Sequence, residues 1–188
     1  MKLFWTGTDS LMLVDYSMRT FRKKVYWWLF RRLIRIMDYF IQEHYCDSQF
    51  LAVHIEEFGT KRNIKVVPDR LKHTEPYPKE AHDGFTVLLY RPMGADKKFT
   101  SWLYGFDIMD EVKERLPHVN FLEVHGGNDM KYVYPFVDFY LRPNRHDGAS
   151  RMRRECDIQN IPYYWSRTNP SVGDAVKVIE DAEKNYKI

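Results

Sequence analysis

Acidic side chains are missing from one long stretch of this chain. Between Met18 and Met37 there is no Asp or Glu, while Arg19, Arg22, Lys23, Lys24, Arg31, Arg32 and Arg35 are all basic. Such a run excludes a helix balanced by internal ion pairs, and it leaves the cations to water or to an anionic surface. Cysteine is scarce too: the chain has 2, Cys46 and Cys156, with no metal-type spacing and no disulfide framework, so a reducing compartment is expected. No uncharged apolar run approaches the roughly 18 residues that would cross a bilayer, and no secretory leader pattern is visible. A cytoplasmic protein, soluble or peripheral at a membrane, is the expectation. Internal repeats, low-complexity segments and Asp-x-Asp metal motifs are also lacking.

What is there suffices for a folded core. With 188 residues, 44% hydrophobic and 29% charged, the composition is that of an ordinary globular protein of one domain or two small ones. A net charge of +3 is too weak to imply nucleic acid by itself. The aromatic share of 16% suits ring stacking on a sugar or base, but large rings more commonly serve the core and interfaces.

Hydrophobic periodicity divides the chain into alternating elements. A short strand at Lys2–Trp5 runs into a Thr-Gly-Thr-Asp turn at 6–9. A basic amphipathic helix covers 19–37, with Lys24, Arg31 and Arg35 on one stripe and Tyr26, Leu29, Phe30, Leu33, Ile36 and Met37 on the opposite face. That helix either packs on a sheet with its basic side in water or lies on an anionic bilayer. Residues 39–46 read as a strand, with Asp47 or Ser48 capping a helix that ends at Phe58 and is stopped by Gly59. A strand at 64–67 closes at Pro68, and a polar, proline-bearing stretch from 69 to 83 marks an internal boundary. Beyond it come a strand at 85–90, a helix from 100 to 116 stopped by Pro117, and a strand at 120–124. A short helical piece at 131–135, a strand at 137–141, a helix opening at Ser150, a strand at 161–165 and a helix at 174–186 complete the chain. This alternation predicts an α/β fold: a Rossmann-like parallel sheet with helices on both faces, and ligands outside the carboxyl ends of its strands.

Three loops leave those strand ends. The first carries Arg91, Gly94, Lys97 and Lys98, cations able to clamp a diphosphate or equally a solvated basic loop. The second, His125-Gly126-Gly127-Asn128, permits close backbone approach to a ligand, and an ordinary tight turn would use the same glycines. The third runs Pro-Asn-Arg-His-Asp-Gly-Ala-Ser from 143 to 150 into a helix start, where N–H groups without internal partners favour an anion. Asp147 and Glu155 bracket that helix start; alternatively Asp147 caps it and Glu155 pairs with a neighbouring Arg. His125 and His146 fall within these loops.

In this order, Leu89-Tyr90-Arg91 through Lys97, Glu123-Val124-His125-Gly126-Gly127 and the Asp147-x7-Glu155 pair resemble the nucleotide-sugar-binding C-terminal half of GT-B glycosyltransferases. The resemblance is to the retaining, metal-independent kind similar to glycogen synthases and sucrose or mannosyl transferases, whose acidic motif is E-x7-E. Phe4-Trp5-Thr6-Gly7-Thr8-Asp9 resembles that family's late W-x-G-S-D segment. The resemblance implies a division into 1–68, a remnant of the acceptor-side α/β region; 69–84, a linker; and 85–188, the donor-binding domain. It implies that Glu155 accepts hydrogen bonds from ribose hydroxyls and that Asp147 contacts the donor sugar. Arg91, Lys97 and Lys98 would neutralise the diphosphate, with Gly126, Gly127, His146, Gly148, Ala149, Ser150 and Arg151 around it. The implied activity is transfer of a sugar from a nucleotide diphosphate sugar to an unknown acceptor, without a metal or cofactor. Because most of an acceptor half is absent, a partner subunit, a second copy or a membrane surface would hold the acceptor. The alternatives are a non-catalytic nucleotide-sugar-binding subunit or regulator and, third, a basic nucleic-acid-binding protein.

Overall fold

The computed structural model describes residues 2–5, 21–60, 62–67, 71–92, 97–145, 147, 150–166 and 169–186, apart from the side chains of 50 and 97. The turn expected at 6–9 and the candidate residues His146, Gly148 and Ala149 lie outside the described residues. The chain forms two compact units, Met1–Arg70 with Asp147–Ala149, and Leu71–His146 with Ser150–Ile188.

The first unit holds β1 (Lys2–Trp5), α1 (Phe21–Met37), β2 (Glu43–Cys46), α2 (Gln49–Phe58) and β3 (Asn63–Val66). Its three strands are parallel in the order β1-β2-β3, with Lys2 opposite Glu43 and Glu43 opposite Asn63. Trp5, Ile34, Cys46, Leu51, Ile55 and Phe58 form its core. Ser48 caps α2, its hydroxyl accepting from Leu51 N at 3.4 Å, and Gly59 ends the helix in the left-handed region at φ 90°. The strand expected over 39–46 is shorter, because 38–40 form a turn whose carbonyls at Asp38 and Tyr39 accept from the Arg62 guanidinium at 3.1 and 2.9 Å. Buried His44 holds the unit together by both ring nitrogens. The Trp5 indole can only donate, so Nδ1 accepts from it at 2.9 Å and Nε2 carries the proton toward Asp38 Oδ1 at 2.8 Å.

Helix α1 does not pack by the face that its periodicity marks. Phe30 and Ile34 enter the core, whereas Tyr26, Leu29, Leu33 and Ile36 face solvent. The rings decide the roll: Phe30 meets Trp5 edge-on at 6.5 Å and Trp27 at 5.2 Å, and aromatic contacts bury more area than the aliphatic stripe would.

The second unit contains β4 (Thr86–Tyr90), α3 (Lys97–Tyr104), α4 (Phe106–Arg115), β5 (Asn120–Val124), β6 (Phe139–Arg142), α5 (Arg151–Gln159), β7 (Tyr163–Trp165) and α6 (Val172–Tyr186). The helical piece expected at 131–135 is a pair of 3-10 turns, Met130–Tyr132 and Tyr134–Phe136. All four strands are parallel in the order β5-β4-β6-β7; Leu88 lies opposite Leu122 on one side and Tyr140 on the other. Alternate residues serve opposite faces. Val87, Leu89, Phe139 and Leu141 pack with α4 and α6, while Leu88 and Tyr140 pack with the 3-10 turns and α5. Helices therefore cover both faces, as right-handed crossovers running in both directions from β4 require. This is the α/β, Rossmann-like architecture expected from the alternation.

Residues 71–83 have no regular secondary structure, yet they are bound along this unit. Tyr77 N donates to Gln159 Oε1 at 2.8 Å, and Gln159 Nε2 donates to the Glu75 carbonyl at 2.8 Å. Lys79 and His82 reach Asp138 at 3.1 and 3.4 Å, while Asp138 Oδ2 accepts from Thr86 N at 2.9 Å.

The single helix expected from 100 to 116 is broken. Gly105, at φ 65°, ends α3 and opens α4 in a left-handed conformation that costs other residues about 1–2 kcal/mol. A Cβ there would fall on the Pro143 carbonyl oxygen. Gly105→Ala is expected to destabilise the protein by roughly 2–4 kcal/mol, strain and overpacking combined, measured by urea denaturation.

Candidate functional site

Topology selects where a ligand would sit. From β4 the chain crosses to β5 on one side; from β5 it returns past β4 to β6, and it continues outward to β7. The order reverses between neighbours β4 and β6, and in open α/β sheets the carboxyl ends at such a reversal diverge into a crevice. The three loops singled out from the sequence leave the carboxyl ends of β4, β5 and β6, which are adjacent strands.

The first two loops are joined. Arg91 N donates to the Val124 carbonyl at 3.0 Å, and His125 Nδ1 donates to the Arg91 carbonyl at 2.7 Å. Asn128 Oδ1 accepts from His125 N at 2.9 Å, and Gly127, at φ 101°, supplies the left-handed residue that closes the turn. Gly126 and Gly127 are exposed. The Arg91 guanidinium is held inside the unit: it pairs with Asp110, lies 3.2 Å from Glu123 and sits 5.0 Å over the Phe106 ring. Glu123 also accepts from Lys113 at 2.6 Å. Burial pulls the Glu123 carboxyl up, but Lys113 and Arg91 outweigh it and hold it below the usual range. Lys98, in the first turn of α3, is exposed.

The third loop is pinned to the α3–α4 junction. Arg145 N donates to the Leu103 carbonyl at 2.9 Å, and its guanidinium forks onto Asp107 at 2.8 and 2.6 Å. That fork holds the Asp107 carboxyl below its ordinary value. Ser150 is the N-cap of α5, its hydroxyl accepting from Arg153 N at 3.1 Å, and Arg151 is exposed. Asp147 is buried and groups with the first unit, while Glu155 belongs to the second, so the two acids of the D-x7-E pair do not fall in one unit.

Glu155 is turned inward. Only 2% exposed, it accepts from the Tyr134 hydroxyl at 2.7 Å and, more weakly, from Lys72 N at 3.3 Å and His73 N at 3.5 Å. Burial, and then the bond to Glu155, push the Tyr134 phenol up, so it stays a donor. Burial likewise raises the neighbouring Cys156 thiol, which leaves it unreactive. Neither Tyr134 nor the backbone at 72–73 carries a sequence signal for this role.

Two residues that the sequence reading passed over stand at the end of β6. Arg142 is buried, donates to the Tyr140 hydroxyl at 3.0 Å and lies 5.8 Å over the Tyr104 ring. Asn144 is 2% exposed, and its side-chain carbonyl oxygen has no hydrogen-bond partner among the described residues. A buried acceptor left open at a switch-point strand is a candidate ligand contact. The only signal available was its place directly after strand and proline. Among the described residues, no three His, Cys or carboxylate side chains converge as a metal cage.

No protein-family model matches the chain, and no curated protein matches it. Among solved structures, one described as "Crystal structure of GtfA/B complex" is similar over 78% of this chain at 11% identity with a TM-score of 0.47. This chain spans 42% of that structure's matched chain. The architecture stands on the strand order and registers themselves.

Tyr134→Phe keeps the ring and removes the donor, so Glu155 loses its shortest hydrogen bond; a loss of about 1.5–3 kcal/mol in urea denaturation is expected. Asp107 and Glu123 titrate lower in the fold than in the unfolded chain. Their contribution is thus complete above the ordinary carboxylate range, about pH 4, and is lost as pH falls through the lowered folded values. The stability difference between wild type and Arg145→Met, up to about 1 kcal/mol, should be constant near neutral pH and shrink on acidification.

Proposed function

We propose that the second unit binds a nucleoside diphosphate sugar at the carboxyl ends of β4, β5 and β6, and that the chain serves glycosyl transfer to an unidentified acceptor. One observation carries the reading: the strand order reverses between β4 and β6, where two of the three loops singled out from the sequence emerge and the third is a neighbour. Helices α3 and α5 open just after these strands, with Lys98 and Arg151 exposed in their first turns. In this proposal those cations and helix N-termini take the diphosphate, and Gly126 and Gly127 let the backbone approach it. Asn144 offers its open carbonyl to a ligand hydroxyl. Lys97 and His146 belong to the same loops of the second unit and remain part of the proposal, whereas Gly148 and Ala149 group with the first unit and are left out of it. The chemistry needs charge stabilised on the departing diphosphate, which fixed cations supply.

A second reading is favoured by a specific observation. Arg91 is matched by Asp110 and Glu123, and Glu155 by Tyr134, so two residues assigned to the donor are engaged within the unit. On that reading the chain binds nucleotide sugar as a subunit or regulator and leaves transfer to a partner. Asp147 and Glu155 then have structural roles alone.

A calorimetric and thermal-unfolding panel of nucleoside diphosphates and their sugars tests both. At least one ligand should stabilise the protein, by about 2.7 kcal/mol at a concentration a hundredfold above its Kd, and Lys98→Ala and Arg151→Ala should weaken that effect. If no nucleotide stabilises the chain, the donor site is wrong. Binding without turnover of the donor, with acceptors and partners supplied, leaves the subunit reading in place of the enzyme.

A further inference from the structure

Helix α1 presents a continuous apolar strip to solvent. Val25, Leu29, Leu33 and Ile36 recur at helical spacing and are 42% to 64% exposed, and Phe21 and Phe40 extend the strip at 81% and 71%. Single exposed leucines are ordinary, but a strip along a whole helix marks a binding surface. Its borders carry charge of one sign only. At about 100° per residue Arg32 and Arg22 fall on either side of the central Val25, Ile36 and Leu29, and Arg35 lies beyond Arg32 at the edge of the strip. Trp28 with Arg31, Arg32 and Arg35 lines a recess of about 130 Å³. Arg32 stacks on Trp28 at 5.5 Å and Arg35 on Phe58 at 5.5 Å, contacts that set both guanidinium groups at the border.

We propose that α1 lies in the surface of a bilayer containing anionic phospholipid, with the apolar strip among the upper acyl chains and the arginines on lipid phosphates. Charge complementarity commits the surface to this occupant. No carboxylate occurs from Met18 to Met37 to oppose an anionic layer. Nucleic acid would call for cations at the centre of the face, whereas here they flank an apolar centre. An apolar centre, cationic flanks and a Trp at the border are the arrangement of a helix lying in the plane of a membrane interface. No described helix is long and apolar enough to cross a bilayer, so the contact is with one leaflet. The inference is independent of the donor-site reading.

The test is co-sedimentation of the full chain with vesicles of phosphatidylcholine alone and of phosphatidylcholine mixed with phosphatidylglycerol. Binding is expected to the mixed vesicles, to weaken with salt, and to fall about fivefold for each of Arg32→Ala and Arg35→Ala. The double variant Leu29→Glu, Leu33→Glu should abolish it, with the helical circular dichroism retained and melting shifted little, because both side chains are more than half exposed. Equal binding to neutral vesicles, binding that survives the double variant, or displacement by inorganic phosphate alone would overturn the proposal. A dimer in light scattering that the double variant dissociates, without vesicle binding, would assign the strip to a second copy instead.

Discussion

Strand β4 sets the terms for the second unit. It is hydrogen-bonded along both edges, to β5 and β6, and its middle residues Val87, Leu88 and Leu89 have no exposed surface on either face. A parallel strand in that position needs cover above and below, and each of those side chains contributes about 1.5–3 kcal/mol once covered. The chain meets the requirement by crossing in one direction through α3 and α4, then back in the other through the 3-10 turns and α5. Two-sided burial and the reversal of strand order are thus one constraint, and it sets the loops after β4 and β6 on neighbouring strands.

Charge is managed differently in the two units. Around the strand ends of the second unit, Arg91 and Arg145 are matched by carboxylates on α4 and β5, and those pairs fasten loops to helices. Asp138 does the same work at the opposite end of the sheet, tying Lys79 and His82 to the start of β4 and β6. In the first unit, cations of α1 border an outward apolar strip with no acid on the helix to answer them. Matched ions hold a fold in register, whereas a border of one charge sign favours a surface of the opposite sign.

Much of this was legible in the residues. Ser48 and Gly59 end a helix by side-chain capping and left-handed backbone, which are local effects and show in a few letters. Strands β4, β5 and β6 announce themselves as apolar runs between turn residues. Other features escaped for equally physical reasons. Gly105 sits within an unbroken helical periodicity, and only the approach of Pro143 reveals why the helix must break there. The face of α1 was misjudged because periodicity ranks Leu and Ile with aromatics, while packing against Trp5 selected Phe30. Glu155 looks like a surface acid beside arginines, and its partners Tyr134, Lys72 and His73 are remote in the chain.

By itself the sequence determined the α/β class, the order of elements and the loops that follow each strand, because propensity, capping and alternation act over a few residues. Tertiary structure alone decided which loops share the reversal of the sheet, that Glu155 turns toward Tyr134, and that the apolar strip of α1 meets water. Those outcomes depend on competition between distant groups for the same buried space and the same hydrogen bonds, and no local pattern encodes which group wins.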